Sequence, residues 1–211
     1  MIVRQLDLFA AGGAPGFDAG FRTLHRTALS HGAWIDHAPG WVHHHDALFD
    51  ELERDLPWRS ETMKMYDKVV DVPRLLARID AHPLIEHMRD ALSERYRENF
   101  IYMTAALYRD GSDSVAFHGD TTARDMVEAL VATVSLGAPR RFVMRPTEGG
   151  PSIALPLGRG DLVMMGGTFQ RTWRHGIPKV ASAGPRIALM FRPQWAKNYR
   201  TSVADERPKP G

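Results

Sequence analysis

The sequence predicts an α+β protein whose C-terminal half is all-β. Three observations carry that class. From Phe100 onward, short runs rich in Val, Ile, Phe and Thr recur at roughly regular spacing, separated by Gly, Pro and Asp, which is the pattern of a sandwich or barrel. Two upstream segments instead repeat apolar residues every three or four positions, the period of a helix. The 211 residues, 44% hydrophobic and 25% charged, have the composition of a soluble globular chain without internal repeats, so one domain is expected.

Taken in order, residues 1–20 are rich in Gly and Ala, carry Pro15, and read as a flexible leader in which Val3 to Phe9 alternates enough to tack onto a sheet. Phe21 to Trp41 alternates apolar and polar runs and ends at the turn Pro39-Gly40. A helix is expected over Asp46–Leu56, with Leu48, Phe49, Leu52 and Leu56 on one stripe and Pro57 as its stop. His43-His44-His45 lies at its start; consecutive histidines point in different directions and read as solvated. Trp58 to Val72 reads as irregular or strand-like, with Met63, Met65 and Tyr66 interleaved with Lys64 and Lys68. Such interleaving either grips a nucleobase and its phosphates or belongs to an ordinary half-buried hairpin. Pro73–Arg78 and Pro83–Arg97 read as helical, the second with Pro83 in its first turn and Leu84, Ile85, Met88 and Leu92 on one face. Strands follow at Phe100–Tyr108, Ser114–His118, Val127–Leu136, Arg141–Arg145, Ile153–Leu157, Asp161–Met165 and Arg186–Arg192.

Composition removes several function classes. Without cysteine there are no disulfides, thiolate zinc sites or cysteine nucleophiles. Lys plus Arg total 27 against 25 for Asp plus Glu, so any nucleic-acid surface must come from clustering rather than bulk charge. No apolar run reaches membrane-spanning length. Arg4 and Asp7 interrupt the start of the chain, which lacks the pattern of a secretory signal, and a cytoplasmic location is expected.

The chemistry centres on His118-Gly119-Asp120. On an extended strand residues two apart share a face, so His118 and Asp120 are expected side by side. With His175, 55 residues beyond Asp120, they make two imidazoles and one carboxylate, a set that holds a divalent metal on one face and leaves the opposite positions open. A zinc hydrolase uses a similar set. Arg186 and Arg192 are six apart and face one side of a strand. Either they point inward toward an anion, for which arginine is the bidentate partner, or they sit at exposed strand ends.

His-x-Asp, a distant His, then Arg-x5-Arg is an ordered set, and through it the chain resembles the AlkB family of Fe(II)- and 2-oxoglutarate-dependent dioxygenases. The matching residues are Tyr108 with Arg109-Asp110-Gly111, His118-Gly119-Asp120, Val134-Ser135-Leu136-Gly137, Arg141-Phe142, Gly160-Asp161-Leu162, His175-Gly176-Ile177-Pro178-Lys179 and Arg186 to Arg192, with Pro57-Trp58, Tyr66 and Pro73-Arg74-Leu75 similar to a nucleotide-recognition lid. The form His-Gly-Asp-Thr resembles a bacterial subgroup. The resemblance implies a double-stranded β-helix (jelly roll) core over 100–193, with N-terminal helices and lid segments over 21–99 packed on it, in a single domain of residues 21–200 followed by a loose tail over 201–211. It implies Fe(II) on His118, Asp120 and His175, and 2-oxoglutarate held by Tyr108, Arg186 and Arg192. It implies that O2 and 2-oxoglutarate are consumed to oxidise an N-methyl group, releasing succinate, CO2 and formaldehyde. The partner implied is alkylated DNA or RNA, single-stranded or with the target base flipped out, and the protein is expected to be a monomer.

Three positions depart from the family. Ala106 and Ala188 stand where relatives carry asparagines beside 2-oxoglutarate, and Thr122 stands where DNA-repair relatives carry an acid facing the base. The same chemistry on a protein side chain or small molecule is therefore the alternative, with a non-catalytic binding module behind it. Candidate substrate residues are Tyr66, Thr122, Trp58 and Trp173; each of the aromatic ones either touches substrate or simply packs. Arg140, Arg141, Arg145, Arg171, Arg174 and Lys179 form either a phosphate-contacting rim or single solvated charges. His31 and His37 read as surface or loop histidines.

Overall fold

The structure, a computed structural model, describes residues 13–65, 68–120, 123 and 126–193. The start of the leader, Tyr66, Thr122 and the C-terminal tail lie outside the described residues. The strands are β1 (Gly16–Phe17), β2 (His25–Ala28), β3 (Ala33–Ala38), β4 (Val42–His43), β5 (Arg59–Met65), β6 (Lys68–Arg78), β7 (Phe100–Tyr108), β8 (Val115–His118), β9 (Val131–Gly137), β10 (Arg140–Pro146), β11 (Ile153–Leu157), β12 (Asp161–Gly167), β13 (Trp173–Ile177) and β14 (Arg186–Pro193). The helices are α1 (His45–Asp55), α2 (Pro83–Tyr96) and the single turn α3 (Phe169–Thr172). No helix among the described residues is long and apolar enough to cross a membrane.

Two sheets face each other. The larger has the order β2-β3-β12-β9-β14-β7-β6-β5, and the smaller β11-β10-β13-β8. Alternation along β14 defines the layers. Ile187, Leu189 and Phe191 turn outward and pack with Leu48, Phe49 and Leu52 of α1 and Ile85, Met88 and Leu92 of α2. Ala188 and Met190 turn inward with Tyr108, Phe142, Met144, Trp173 and Ile177, filling the space between the sheets. This is the jelly-roll core with helices on one face that the sequence led us to expect. The helix α2 begins as its sequence suggests: Pro83 opens the first turn, His82 Nδ1 accepts from the Ile85 amide at 3.4 Å, and Glu86 Oε1 accepts from the His82 amide at 3.1 Å.

Three expectations change. Pro73–Arg78 is not helical but the end of β6, which pairs with β5 and, from Leu75, with β7. Pro73 falls where the β5–β6 register breaks between Ser60 and Thr62, so its missing N–H costs the ladder nothing. Leu75 and Leu76 then turn to opposite faces, one toward the helices and one between the sheets. The leader also gives way to structure before residue 20: β1 pairs with β4, Trp41 Nε1 donates to the Asp18 carbonyl at 2.8 Å, and the Asp18 carboxylate accepts from the Gly20 and Arg22 amides. His37 is not in a loop but in β3, half-buried, 3.9 Å from Asp161; His31 does lie on a turn, Ser30–Gly32.

Candidate active site

The inner face of the larger sheet carries both arginines. Arg186 is 1% exposed and Arg192 4%, so neither sits at an exposed strand end. Across the ladder Arg186 faces Tyr108 of β7, and Ala188 faces Ala106 on one side and Ser135 of β9 on the other. Arg186 Nη2 donates to Ser135 Oγ at 2.6 Å, and its guanidinium carbon lies 5.1 Å from the Tyr108 ring centre. Its Nε and Nη1 are buried without a hydrogen-bond partner. Burial lowers the pKa of this guanidinium. A cation so placed, with two donors unused, calls for an anion.

The smaller sheet supplies the imidazoles. Strands β8 and β13 pair with His118 opposite His175, and the two rings lie 4.4 Å apart. An extra residue on β8 breaks the register between His175 and Ile177, a bulge of the kind that re-aims side chains. His118 Nδ1 sits 2.8 Å from the Ala116 carbonyl, which fixes the proton there and leaves the lone pair of Nε2 free to ligate. His175 is enclosed by Phe142 and Phe169, at 5.3 and 6.0 Å between ring centres, and its Nδ1 is buried without a partner. Burial, reinforced by His118, pushes the His175 imidazole down to about 3, and burial lowers His118 as well. Both rings are therefore neutral near pH 7, the form that ligates metal.

Asp120 reaches the site by a route that strand alternation does not describe. Strand β8 ends at His118, and Asp120 lies beyond it. Its amide donates to Gln170 Oε1 at 2.9 Å, and its carboxylate accepts from Arg192 Nε at 2.7 Å and Nη2 at 3.3 Å. Burial works to raise the Asp120 pKa, but the charge and hydrogen bonds of Arg192 outweigh it and hold the carboxyl below the usual range. With the carboxylate turned onto Arg192, no three His, Asp or Glu side chains among the described residues are set around one point for a metal ion. The donor set of two neutral imidazoles and one ionised carboxylate nevertheless fits a divalent cation.

Other candidates separate by burial. Tyr108 is 4% exposed on the inner face beside Arg186. Trp58 lies on the helix side of the larger sheet, with Nε1 donating to the Leu52 and Glu53 carbonyls of α1; it packs, and it does not face the space between the sheets. Trp173 is 4% exposed, stacks on Phe169 and donates to the Ser30 carbonyl at 3.3 Å, so its place is in the core. Arg140 leaves the expected rim: it is 3% exposed and donates to the carbonyls of Asp110, Asp113 and Pro178. Arg141, Arg145, Arg171, Arg174 and Lys179 are exposed, with Arg145 and Arg174 opposite each other across β10 and β13 and Arg145 over the Phe117 ring at 3.9 Å. Of the histidine run, His43 and His44 are exposed and His45 is half-buried. Sequence reasoning assigned no role to Ser135 or Gln170.

The profile of the 2OG-Fe(II) oxygenase superfamily matches residues 80–192. The chain is 32% identical over 173 residues to alpha-ketoglutarate-dependent dioxygenase alkB homolog 3 of Bos taurus, covering 70% of this chain and 60% of that protein. It is 28% identical over 176 residues to the DNA oxidative demethylase ALKBH2 of Homo sapiens, covering 70% and 67%. The chain thus spans roughly 60% to two thirds of the length of these curated relatives. Among solved structures, an oxidoreductase of the 2OG-Fe(II) oxygenase family from Burkholderia pseudomallei superposes with a TM-score of 0.53 at 16% identity, over 77% of this chain and 85% of that one. OsALKBH1 superposes with a TM-score of 0.55 at 14% identity, over 80% and 100%. Their likeness is one of fold, and the profile leads to one conclusion: the chain, similar in sequence to AlkB homologues, belongs to the 2OG-Fe(II) oxygenase superfamily.

Proposed function

We propose that the chain is an Fe(II)- and 2-oxoglutarate-dependent dioxygenase that removes N-linked methyl groups from nucleobases of alkylated DNA or RNA. The observation that carries the reading is Arg186, a buried guanidinium with two unpartnered donors in the same inter-sheet space as His118, His175 and Asp120. His118, Asp120 and His175 would hold the iron. Arg186, with Tyr108 and Ser135 beside it, would take the distal carboxylate of 2-oxoglutarate, and Arg192 the carboxylate next to the keto group. When bound, iron, 2-oxoglutarate and O2 supply the oxidation of a C–H bond next to nitrogen; one oxygen atom ends in succinate and one in the methyl carbon, which leaves as formaldehyde, with CO2 as the third product.

The chain's own residues orient and exclude. The enclosure of His175 by Phe142 and Phe169 keeps water from that side of the site. Arg145, Arg174 and Arg141, exposed on the outer face of the smaller sheet, would meet a phosphate backbone. Tyr66 and Thr122 complete the reading as base contacts. The reading takes residues 21–200 as one catalytic domain, acting as a monomer in the cytoplasm on a single-stranded or flipped-out base.

The test is product analysis with oligonucleotides carrying N1-methyladenine or N3-methylcytosine, supplied with Fe(II), 2-oxoglutarate and O2. Formaldehyde and succinate in equal amounts support the reading. Succinate without formaldehyde moves the activity to another substrate, a protein side chain or a small molecule.

A further inference from the structure

The β12–β13 connection contains one side chain that neither ligand nor substrate explains. Gln170, on the turn α3, is 3% exposed. Its Oε1 accepts from the Asp120 amide at 2.9 Å, and its Nε2 donates to Met165 Sδ at 3.8 Å, so each end of the amide has a partner of matching kind. Its backbone also meets the tripeptide: a Cβ on Gly119 would lie 2.5 Å from the Gln170 carbonyl oxygen and 3.6 Å from that of Trp173. Glycine is therefore required between the two site residues because α3 packs directly on it.

The turn is itself held from outside. Thr168 Oγ1 donates to the His31 carbonyl at 2.6 Å, Thr147 donates through its amide and its hydroxyl to the Thr172 carbonyl, and Trp173 Nε1 donates to Ser30. Asp120 has no strand ladder to fix its backbone, because β8 stops at His118. Arg192 holds its carboxylate, and Gln170 is the side chain that holds its amide.

We propose that Gln170 is a positioning residue for Asp120: it anchors the Asp120 amide to α3 and so sets how the carboxylate is presented to a divalent cation that Gln170 itself does not touch. The proposal rests on the reading that His118, Asp120 and His175 form a metal site. Side chains standing behind metal ligands commonly change affinity by about 10- to 100-fold when removed.

The experiment compares wild type, Gln170→Met, which keeps the length but loses the acceptor, and Gln170→Glu, which keeps an oxygen facing the amide. Amide hydrogen exchange at Asp120 is followed by NMR in metal-free protein, and Mn(II) binding is titrated by calorimetry. Gln170→Met is expected to speed exchange at Asp120 and weaken Mn(II) binding about tenfold or more, with a thermal midpoint lowered by no more than a few degrees and with both readouts restored in Gln170→Glu. Unchanged Mn(II) affinity in Gln170→Met overturns the positioning role while leaving the metal site standing. Equal losses in both variants, accompanied by a lowered midpoint, also overturn it, because they mark a packing role only. Wild type that binds no Mn(II) overturns the metal-site reading and this inference with it.

Discussion

Arg186→Met separates function from stability at the centre of the site. The guanidinium is 1% exposed and spends one donor on Ser135 Oγ, leaving Nε and Nη1 unpartnered. If these two donors meet a carboxylate, each charge-assisted hydrogen bond is worth about 1.5–3 kcal/mol, or about 3–6 kcal/mol together. Removing them should weaken 2-oxoglutarate binding by about 10²- to 10⁴-fold. The folded protein without cosubstrate should not suffer. Losing the Ser135 bond costs about 1.5–3 kcal/mol. That is offset by relief from burying an uncompensated charge, which is itself several kcal/mol. Calorimetric titration of 2-oxoglutarate into Mn(II)-loaded protein reads the first effect, and thermal unfolding of the metal-free protein reads the second. The expected pair is lost binding with an unchanged or raised midpoint. Affinity within threefold of wild type, or a midpoint many degrees lower with binding intact, would refute the assignment of this arginine to an anion.

Acid should destabilise the metal-free protein through His175. Its folded pKa is lowered to about 3 while an unfolded histidine titrates near 6.5, so between those values the unfolded chain binds the extra proton and stability falls with pH. The loss should reach about 2 kcal/mol between pH 8 and pH 5, read as the difference in urea-unfolding free energy between wild type and His175→Gln. Arg140→Met leaves three carbonyls, those of Asp110, Asp113 and Pro178, without their donor. It should cost about 3 kcal/mol or more in urea unfolding while leaving the Kd for 2-oxoglutarate unchanged. Ala188→Asn introduces an amide on the inner face between the two arginines, opposite Ala106 and Ser135. One added hydrogen bond of about 0.5–1.5 kcal/mol should tighten 2-oxoglutarate about two- to tenfold in the same titration.

Features governed by local period were legible in the chain. Arg186 and Arg192 are an even number of residues apart, and a strand that is straight over that span must turn both to one face; burial of 1% and 4% follows from β14 lying in the middle of the larger sheet. The same logic read α1, α2 and the strands of the C-terminal half within a few residues of their ends, except β13 (Trp173–Ile177), the strand of His175, which it did not foresee. It failed where partners decide. Pro73–Arg78 carries proline and leucines that suit a helix start, and only pairing with β5 and β7 makes it a strand. Trp58 and Trp173 are aromatic in either role, and only the helix-side layer of Trp58 and the burial of Trp173 against Phe169 show that they pack. Arg140 stands next to exposed Arg141, yet the alternation of β10 buries it among three carbonyls.

The residue types of the site, two histidines, an aspartate and two arginines in a set order, were determined by the sequence alone, because that chemistry is a property of the side chains. How Asp120 joins them was decided only by the tertiary structure. Residues two apart share a face only while the strand lasts, and β8 ends at His118. From there Gly119 is shaped by a carbonyl from α3, the Asp120 amide by Gln170 and its carboxylate by Arg192, from 50 and 72 residues further along the chain. Contacts across such separations follow from how the two sheets close on each other, and no window of sequence carries that information.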